Sequence, residues 1–246
     1  MTVTVTPDQG YELDSLTVTG ADGKSVTLTN KGNGKYTFTM PRSKVTVSAA
    51  FKAAEEPGAG LPFTDVAENA WYYDAVVYAY ENDLMGGTSA SAFAPDMATD
   101  RAMLATLIYR LEGRPAVTGG VSFDDVPAGA WYTDAVLWAS SEDIVNGVGD
   151  GTSFAPTSTI TREQMAVMLY RYAQYKGYDV TQGGMAIREY ADYDQVSDWA
   201  EYALQWAVNT ELVSGTSATT LSPQSSATWA EIAVILMRFC QRFAAE

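Results

Sequence analysis

Two arginines stand at positions where a positive charge is unfavourable unless it has something to bind. Arg162 follows Thr161, and Gln164 completes the Thr-x-x-Gln spacing of a helix capping box. This spacing places Arg162 at the first position of a helix, where the helix dipole opposes a cation by roughly a few tenths of a kcal/mol. Arg101 follows Asp100 in an earlier copy of the arrangement. An anion held by free helix-start amides and a guanidinium together would suit both positions.

A second interpretation stays open, in which each arginine lies in solvent or pairs with an acidic neighbour. A third copy of the helix start keeps the capping spacing with Thr228 and Glu231 but has Trp229 in place of the arginine. The third copy therefore offers no guanidinium to an anion.

These helix starts belong to a unit of about sixty residues that occurs three times. Each unit has a tryptophan before a first apolar helix, a glycine turn, and a proline ahead of the second helix. The recurring landmarks are Trp71, Trp131 and Trp199, then Gly86, Gly147 and Gly215, then Pro95, Pro156 and Pro223. A fixed repeat of this kind buries the apolar face of each unit against its neighbours, so all three are needed for a stable core.

The aromatic residues beside the first helices have two open interpretations. Trp71, Trp131 and Trp199 either pack in the core at the start of each first helix or stack on a sugar. Tyr72 and Tyr132 are the more plausible open partners for a sugar ring.

The order Phe-x-Asp-Val, Trp-Tyr, glycine turn, Phe-x-Pro and Thr-Arg-Glu-Gln resembles the S-layer homology family, over about three quarters of the chain. The family's Thr-Arg-Ala-Glu motif corresponds to residues 161–164 with Thr and Arg kept, to 100–103 with Arg and Ala kept, and to 228–231 without the Arg. The resemblance implies a spindle of three repeats around a shared helical core. Its grooves would hold secondary cell-wall polysaccharide, often with a pyruvate ketal on N-acetylmannosamine, and the ketal carboxylate is an anion of the kind required at the helix starts.

The first fifty residues have a different pattern, in which apolar and polar residues alternate between turn residues. Runs at 2–6, 15–19, 25–29, 36–40 and 44–51 predict a small antiparallel β module. The module resembles the bacterial InlB-B-like repeats of surface proteins, in which a further strand usually precedes the equivalent of Thr2. A missing strand would expose an edge, so we expect weak self-association through this module.

These patterns predict an α+β multidomain chain, with a small antiparallel β module followed by a mainly α-helical three-repeat pseudo-trimer. The predicted divisions are the β module at 1–52, a linker at 53–61, and repeats at 62–113, 121–176 and 190–243. The β module is expected to act as a spacer.

Composition excludes several classes of function. A net charge of −15 argues against binding to nucleic acid or an anionic membrane, and no apolar run is long enough for membrane insertion. The chain has no histidine and one cysteine, Cys240, which excludes an internal disulfide framework, a cysteine-rich zinc site and a histidine-based triad. No cofactor is expected. Cys240 lies in an apolar run and is predicted to be a buried thiol.

The acidic residues at the start of each unit are better suited to structure than to catalysis. The adjacent Asp124 and Asp125 are poorly placed to flank a glycosidic bond. Asp65 and Asp125 are predicted to serve a helix entry or a turn, with weak calcium ligation as the minor alternative.

The residues and the resemblance together predict a non-catalytic, extracellular wall or S-layer anchor that binds anionic, pyruvylated wall polysaccharide. The alternatives are a glycan hydrolase and a purely structural self-assembly module. The start of the chain does not resemble a signal peptide, so we expect this to be a fragment of an exported protein. The complete capping box predicts stronger binding at Arg162 than at Arg101, with Trp229 serving mainly to complete the core.

Overall fold

The computed structural model describes residues 1–7, 11–31, 34–53, 61–120 and 122–243. The chain divides into two units, Met1–Gly60 and Leu61–Glu246. Residues 54–60 of the predicted linker lie outside the described ranges.

The first unit is the predicted antiparallel β module. Its strands are β1 (Thr2–Thr4), β2 (Tyr11–Gly20), β3 (Thr29–Asn30), β4 (Lys35–Thr37) and β5 (Val45–Ala53). One sheet has the order β1-β4-β3 and the other pairs β2 with β5. The predicted strand at 25–29 is mostly absent. Ser25 forms a single bridge to Thr19, and of this run only Thr29 belongs to a strand, β3. Strand β1 pairs with β4 through Thr2 and Thr37 and lies at the edge of its sheet, so the predicted self-association stays a prediction.

The second unit contains two helices from each repeat. The first helices are α1 (Tyr73–Glu81), α3 (Thr133–Ser141) and α5 (Glu201–Asn209), and the second helices are α2 (Arg101–Leu111), α4 (Arg162–Tyr175) and α6 (Trp229–Phe243). The predicted fold class, α+β with a β module ahead of helical repeats, is confirmed.

The predicted helix caps form as the sequence indicates. Thr161 accepts a hydrogen bond from the Gln164 amide, and the Gln164 side chain accepts one from the Thr161 amide. Glu231 completes the equivalent box in α6. In α2, Asp100 accepts from the amide of Met103 at 2.7 Å and has no reciprocal partner at that position.

The three repeats close into a ring. Helix α3 packs against α2, α5 against α4, and α1 against α6, so each first helix contacts the second helix of the preceding repeat. At the centre, the amide of Ile160 donates to Thr99 O, that of Thr99 to Ala227 O, and that of Ala227 to Ile160 O, at 2.8–3.1 Å. The pseudo-trimeric arrangement therefore has a closed circuit of three backbone hydrogen bonds at its centre.

The aspartates at the start of each repeat hold the turn before the proline. Both carboxylate oxygens of Asp125 accept a backbone amide, from Phe154 and from Ala155, each at 2.7 Å. Asp65 and Asp192 do the same in the other two repeats. The predicted turn role of Asp65 and Asp125 is confirmed.

The core of the second unit is one continuous apolar cluster drawn from all three repeats. Cys240 lies within it as a buried free thiol, as predicted. Burial raises the pKa of this thiol, although a hydrogen bond with Tyr78 opposes the rise.

Candidate functional site

The backbone amides at the starts of α2 and α4 already donate hydrogen bonds within the protein. The amide of Arg101 donates to Ser158 O and that of Arg162 to Ser225 O, both at 3.0 Å. The next residue of each helix also donates to a carbonyl of the adjacent repeat. The expectation that free amides at these starts hold an anion is therefore wrong, because the neighbouring repeat takes them.

Arg162 is held almost completely by the third repeat. Its Nε donates to Leu221 O at 3.1 Å, its Nη2 to Ser214 O at 2.6 Å, and its Nη1 to the carboxylate of Glu231 at 2.8 Å. The side chain is only 4% exposed. Burial lowers the pKa of Arg162, and the charge of Glu231 opposes that effect. Pairing with an acidic residue, the second interpretation of this arginine, is what the structure shows.

Arg101 has the same geometry without the carboxylate. Its Nε donates to Phe154 O at 2.8 Å and its Nη2 to Asn146 O at 3.1 Å, while the guanidinium lies 4.7 Å from the centre of the Phe154 ring. The residue is 7% exposed. Burial lowers its pKa, and the nearby charge of Asp125 acts in the opposite direction. Within the described residues, no acidic side chain forms an ion pair with Arg101. Neither arginine lies out in solvent.

Three cavities of similar construction lie beside the starts of the second helices, two of them lined by these arginines, and we call them grooves A, B and C. In each, the turn and second helix come from one repeat, the helix-start residue from the preceding repeat, and an exposed tryptophan from the following repeat, counted around the ring. Groove A, of about 500 Å³, includes Gly86, Gly87, Met97, Met103, Arg110, Trp131 and Trp229. Groove B, of about 480 Å³, includes Arg101, Asn146, Gly147, Gln164, Arg171 and Trp199. Groove C, of about 410 Å³, includes Trp71, Arg162, Ser214, Gly215, Glu231 and Arg238.

One exposed tryptophan lines each of these grooves. Trp71, Trp131 and Trp199 are 58–68% exposed, so the core-packing interpretation is wrong for all three. Tyr72 and Tyr132 are instead half-buried, lie edge-on to the adjacent tryptophan and pack against the core. They are not among the groove-lining residues, and their prediction as the more open partners is wrong.

The other predicted site residues divide between lining and support. Gly147 lines groove B, and Gly86 lines groove A. The structural equivalent of Gly147 is, however, Gly87. A Cβ added at Gly87 would lie 2.4 Å from Ala92 O, and one added at Gly147 would lie 2.3 Å from Gly151 O, whereas a Cβ added at Gly86 would have no atom within 4 Å. Thr161 and Asp100 cap their helices and do not line the grooves.

Sequence reasoning missed a second arginine in each groove. Arg110, Arg171 and Arg238 lie on the second helices and line grooves A, B and C. Each is nine residues after the helix-start position in all three copies, a spacing that the sequence displays. Arg110 and Arg238 donate to carbonyls of the adjoining turn, and Arg171 meets the amide oxygen of Asn146 at 3.1 Å when that amide is turned toward it.

The arginines of the helical unit are concentrated at its cavities. Of the eight arginines between residues 61 and 243, seven line a groove or the adjoining depressions that contain Arg114 and Arg242. The eighth, Arg188, pairs with Glu201 at 3.6 Å. In an acidic chain, this distribution concentrates positive side chains at the cavities.

Two further features concern sites and membranes. Within the described residues, no group of three or more Cys, Asp or Glu side chains is arranged to hold a metal ion. No helix in the described part of the chain has the length and apolar character that crossing a bilayer requires.

Both units of this chain match known domain families. Residues 62–103, 122–166 and 189–233 match the S-layer homology domain, and residues 1–55 match the divergent InlB B-repeat domain. The surface-layer 125 kDa protein of Lysinibacillus sphaericus is 31% identical over 67% of this chain and 14% of its own length. The S-layer protein of Bacillus thuringiensis subsp. finitimus is 27% identical over 76% of this chain and 22% of its own length. An endoglucanase of Bacillus sp. (strain KSM-635) is 29% identical over 81% of this chain and 21% of its own length.

The chain thus spans less than a quarter of each of these relatives, which include both surface-layer proteins and an enzyme. The three matched ranges make up more than half of the chain, the repeats close into the expected ring, and the chain therefore belongs to the S-layer homology domain family of cell-surface anchoring modules.

Proposed function

We propose that the helical unit is a non-catalytic wall anchor that binds an anionic, pyruvylated wall polysaccharide, with groove B as its main anion site. The observation that carries this proposal is the composition of groove B. Arg101 and Arg171 both line it, and Gln164 stands where groove C has Glu231.

Groove B is better suited to an anion than groove C. In groove C, Glu231 already pairs with Arg162 at 2.8 Å, so a ligand carboxylate would compete with an internal carboxylate. In groove B the equivalent side chain is neutral, and the Nη1 of Arg101 has no hydrogen-bond partner within the described residues. We therefore reverse the ranking expected from the sequence and place Arg101 ahead of Arg162.

The contacts around Arg101 also hold its guanidinium in one orientation. Two backbone carbonyls and the Phe154 ring fix the plane of the Arg101 guanidinium, so little side-chain entropy is lost when it binds a carboxylate. Burial strengthens a charge-assisted hydrogen bond at this position. The exposed ring of Trp199 at the mouth of the groove offers a flat surface for a sugar ring. A cavity of about 480 Å³ has room for one or two sugar residues.

The test uses the whole chain and purified cell-wall sacculi, before and after mild acid removes ketal-linked pyruvate. Binding that is lost after acid treatment supports the proposal. Release of soluble sugar would instead indicate a hydrolase, and indifference to wall material would indicate a structural self-assembly module. Either of those results overturns the proposal.

A matched pair of arginine variants locates the site. Arg101→Ala is expected to weaken sacculus binding strongly, because it removes the guanidinium that faces groove B. Arg188→Ala is the control, because that arginine is not among the residues that line grooves A, B and C and is half exposed. Equal binding by the two variants would contradict the assignment to groove B.

The β module is proposed to be a spacer. Its match to a divergent InlB B-repeat domain supports this role.

A further inference from the structure

We propose that Asn146 is a site of spontaneous deamidation, and that this modification places a carboxylate inside groove B and ends anion binding there. The modification itself needs no ligand. Its effect on binding rests on the proposed function of groove B.

Asn146 and Gly147 form an Asn-Gly pair in the turn that lines groove B. In deamidation, the backbone nitrogen of the following residue attacks the side-chain carbonyl carbon of asparagine. Glycine hinders this attack least, because it has no Cβ. The fold itself requires glycine at this position, since a Cβ at Gly147 would lie 2.3 Å from Gly151 O. The turn that shapes groove B therefore also permits the reaction.

The attacking nitrogen and its target are both accessible. Asn146 is exposed and belongs to no helix or strand. The amide of Gly147 donates no hydrogen bond within the described residues, whereas the next amide, that of Val148, donates to Ser153 O at 2.7 Å. Because no partner holds the Gly147 N–H, this nitrogen can lose its proton and turn toward the side chain.

Arg171 is placed to promote the attack. When the side-chain amide of Asn146 is turned toward it, Arg171 Nη1 lies 3.1 Å from the amide oxygen, and the amide nitrogen donates to Val145 O at 2.9 Å. Negative charge develops on that oxygen as the Gly147 nitrogen adds to the carbon. The guanidinium stabilises this charge, as hydrogen-bond donors do for the tetrahedral intermediates of acyl transfer.

The reaction balances with water as its only co-reactant. A bond forms between the Gly147 nitrogen and Asn146 Cγ, the Cγ–Nδ2 bond breaks, and Nδ2 leaves as ammonia with the proton of the Gly147 amide. Water then opens the cyclic imide at one of its two carbonyls. Opening at one carbonyl gives aspartate, and opening at the other gives isoaspartate.

Each product gives a carboxylate to an arginine of groove B. In aspartate, the carboxylate replaces the side-chain amide beside Arg171. In isoaspartate, the main chain runs through Cγ, and the former backbone carbonyl of Asn146 becomes the free carboxylate. That carbonyl accepts a hydrogen bond from Arg101 Nη2 at 3.1 Å, so the new carboxylate would pair with Arg101. Groove B would then resemble groove C, where Glu231 already pairs with Arg162.

The modification is specific to one groove of the three. The residues equivalent to Asn146 are Gly86 in groove A and Ser214 in groove C, and neither has an amide to lose. Deamidation therefore removes the main anion site and leaves the other two grooves chemically unchanged. The anchor would lose its hold on the wall as it ages.

Ageing of the whole chain at mildly alkaline pH tests the modification. Peptide mapping by mass spectrometry, with isoaspartyl methyltransferase labelling, follows Asn146 separately from the chain's other Asn-Gly pair, Asn33-Gly34. We expect Asn146 in the folded chain to deamidate at least as fast as in a synthetic peptide of residues 142–150, and faster as the pH rises. Slower deamidation in the folded chain than in the peptide would overturn the proposal.

Equivalent arginines provide matched variants for the reaction. Arg171→Gln should slow deamidation of Asn146 severalfold, because it removes the charge beside the amide oxygen. Arg238→Gln, the equivalent change in groove C, should leave that rate unchanged. A thermal scan verifies the fold of each variant, and equal rates in the two would contradict the role of Arg171.

Calorimetry with a pyruvylated monosaccharide measures the consequence for binding. The deamidated chain, separated by ion exchange, should bind this probe roughly tenfold or more weakly than the fresh chain. Asn146→Ser, which introduces the residue found in groove C, should keep its own initial affinity through the same ageing.

The effect on binding is overturned if the deamidated chain binds the probe as the fresh chain does. If the fresh chain does not bind the probe, the proposed function fails and the effect on binding fails with it. The peptide map decides in either case whether Asn146 is a modification site.

Discussion

The substitution Gln164→Glu tests the assignment of groove B with little change in shape. The new carboxylate would stand beside Arg101 as Glu231 stands beside Arg162, where the nitrogen and oxygen are 2.8 Å apart. Its second oxygen could still accept the amide of Thr161, as Glu231 does for Thr228 at 2.8 Å. The helix start should therefore remain intact, and an acidic residue in the first turn is favourable to the helix dipole.

The expected loss of anion binding follows from the competing charge. A ligand carboxylate would lose a charge-assisted hydrogen bond worth about 1.5–3 kcal/mol. This corresponds to roughly 10- to 150-fold weaker binding. The reciprocal change Glu231→Gln should release Arg162 and give groove C a measurable affinity for the same ligand.

Calorimetry with a pyruvylated monosaccharide measures both changes, and a thermal scan of each variant verifies its fold. We expect Gln164→Glu to melt at or above the temperature of the parent. If Gln164→Glu binds the ligand within about threefold of the parent, a neutral side chain beside Arg101 is not what makes groove B an anion site.

Four further outcomes are expected. Arg162→Ala should lower the free energy of unfolding by about 3 kcal/mol or more in urea titration, because it leaves a carboxylate and two carbonyls without their partner; a loss below about 1 kcal/mol would contradict this. Partial burial opposes ionisation of Asp65 and Asp192, but hydrogen bonds from two backbone amides hold the pKa of each below its ordinary value of 3.8. Their contribution to stability is therefore complete above about pH 4 and is lost as the pH falls further, a decline that Asp192→Asn should reduce in acid-unfolding curves. Gly147→Ala would place a Cβ 2.3 Å from a backbone oxygen and should lower the melting temperature, unlike the same change at an exposed turn glycine. Sedimentation should show concentration-dependent dimers of the whole chain but not of a chain beginning at Leu61, and monomers of both would refute self-association through the β module.

The features predicted correctly from the sequence are local ones. The capping residues, the first helical positions and the turn role of Asp125 each depend on neighbours within a few residues or on a short repeated pattern. Those signals determine where a helix begins whatever lies around it. The repeat itself predicted the shared core, since no single unit could bury its apolar face.

The errors concern partners that are distant in the chain. Glu231 pairs with Arg162 across 69 residues, and the carbonyls that take the helix-start amides belong to the next repeat. Nothing near Arg162 in the sequence indicates either contact. The position of Trp131 was equally hidden, because its groove belongs to a different repeat. Arg171, by contrast, could have been found from its constant spacing after the helix start.

The closed ring has a consequence for the valency of the protein. Every groove needs one helix start, one turn and one tryptophan from three different repeats, so two repeats contain no complete groove. The number of complete grooves therefore does not rise one by one as repeats are added, but goes from none to three when the ring closes. Avidity for a polymer is then a property of the complete ring, since its grooves are held at fixed separations without a flexible tether. A chain that lost one terminal repeat would release the wall entirely instead of binding it with two thirds of the strength.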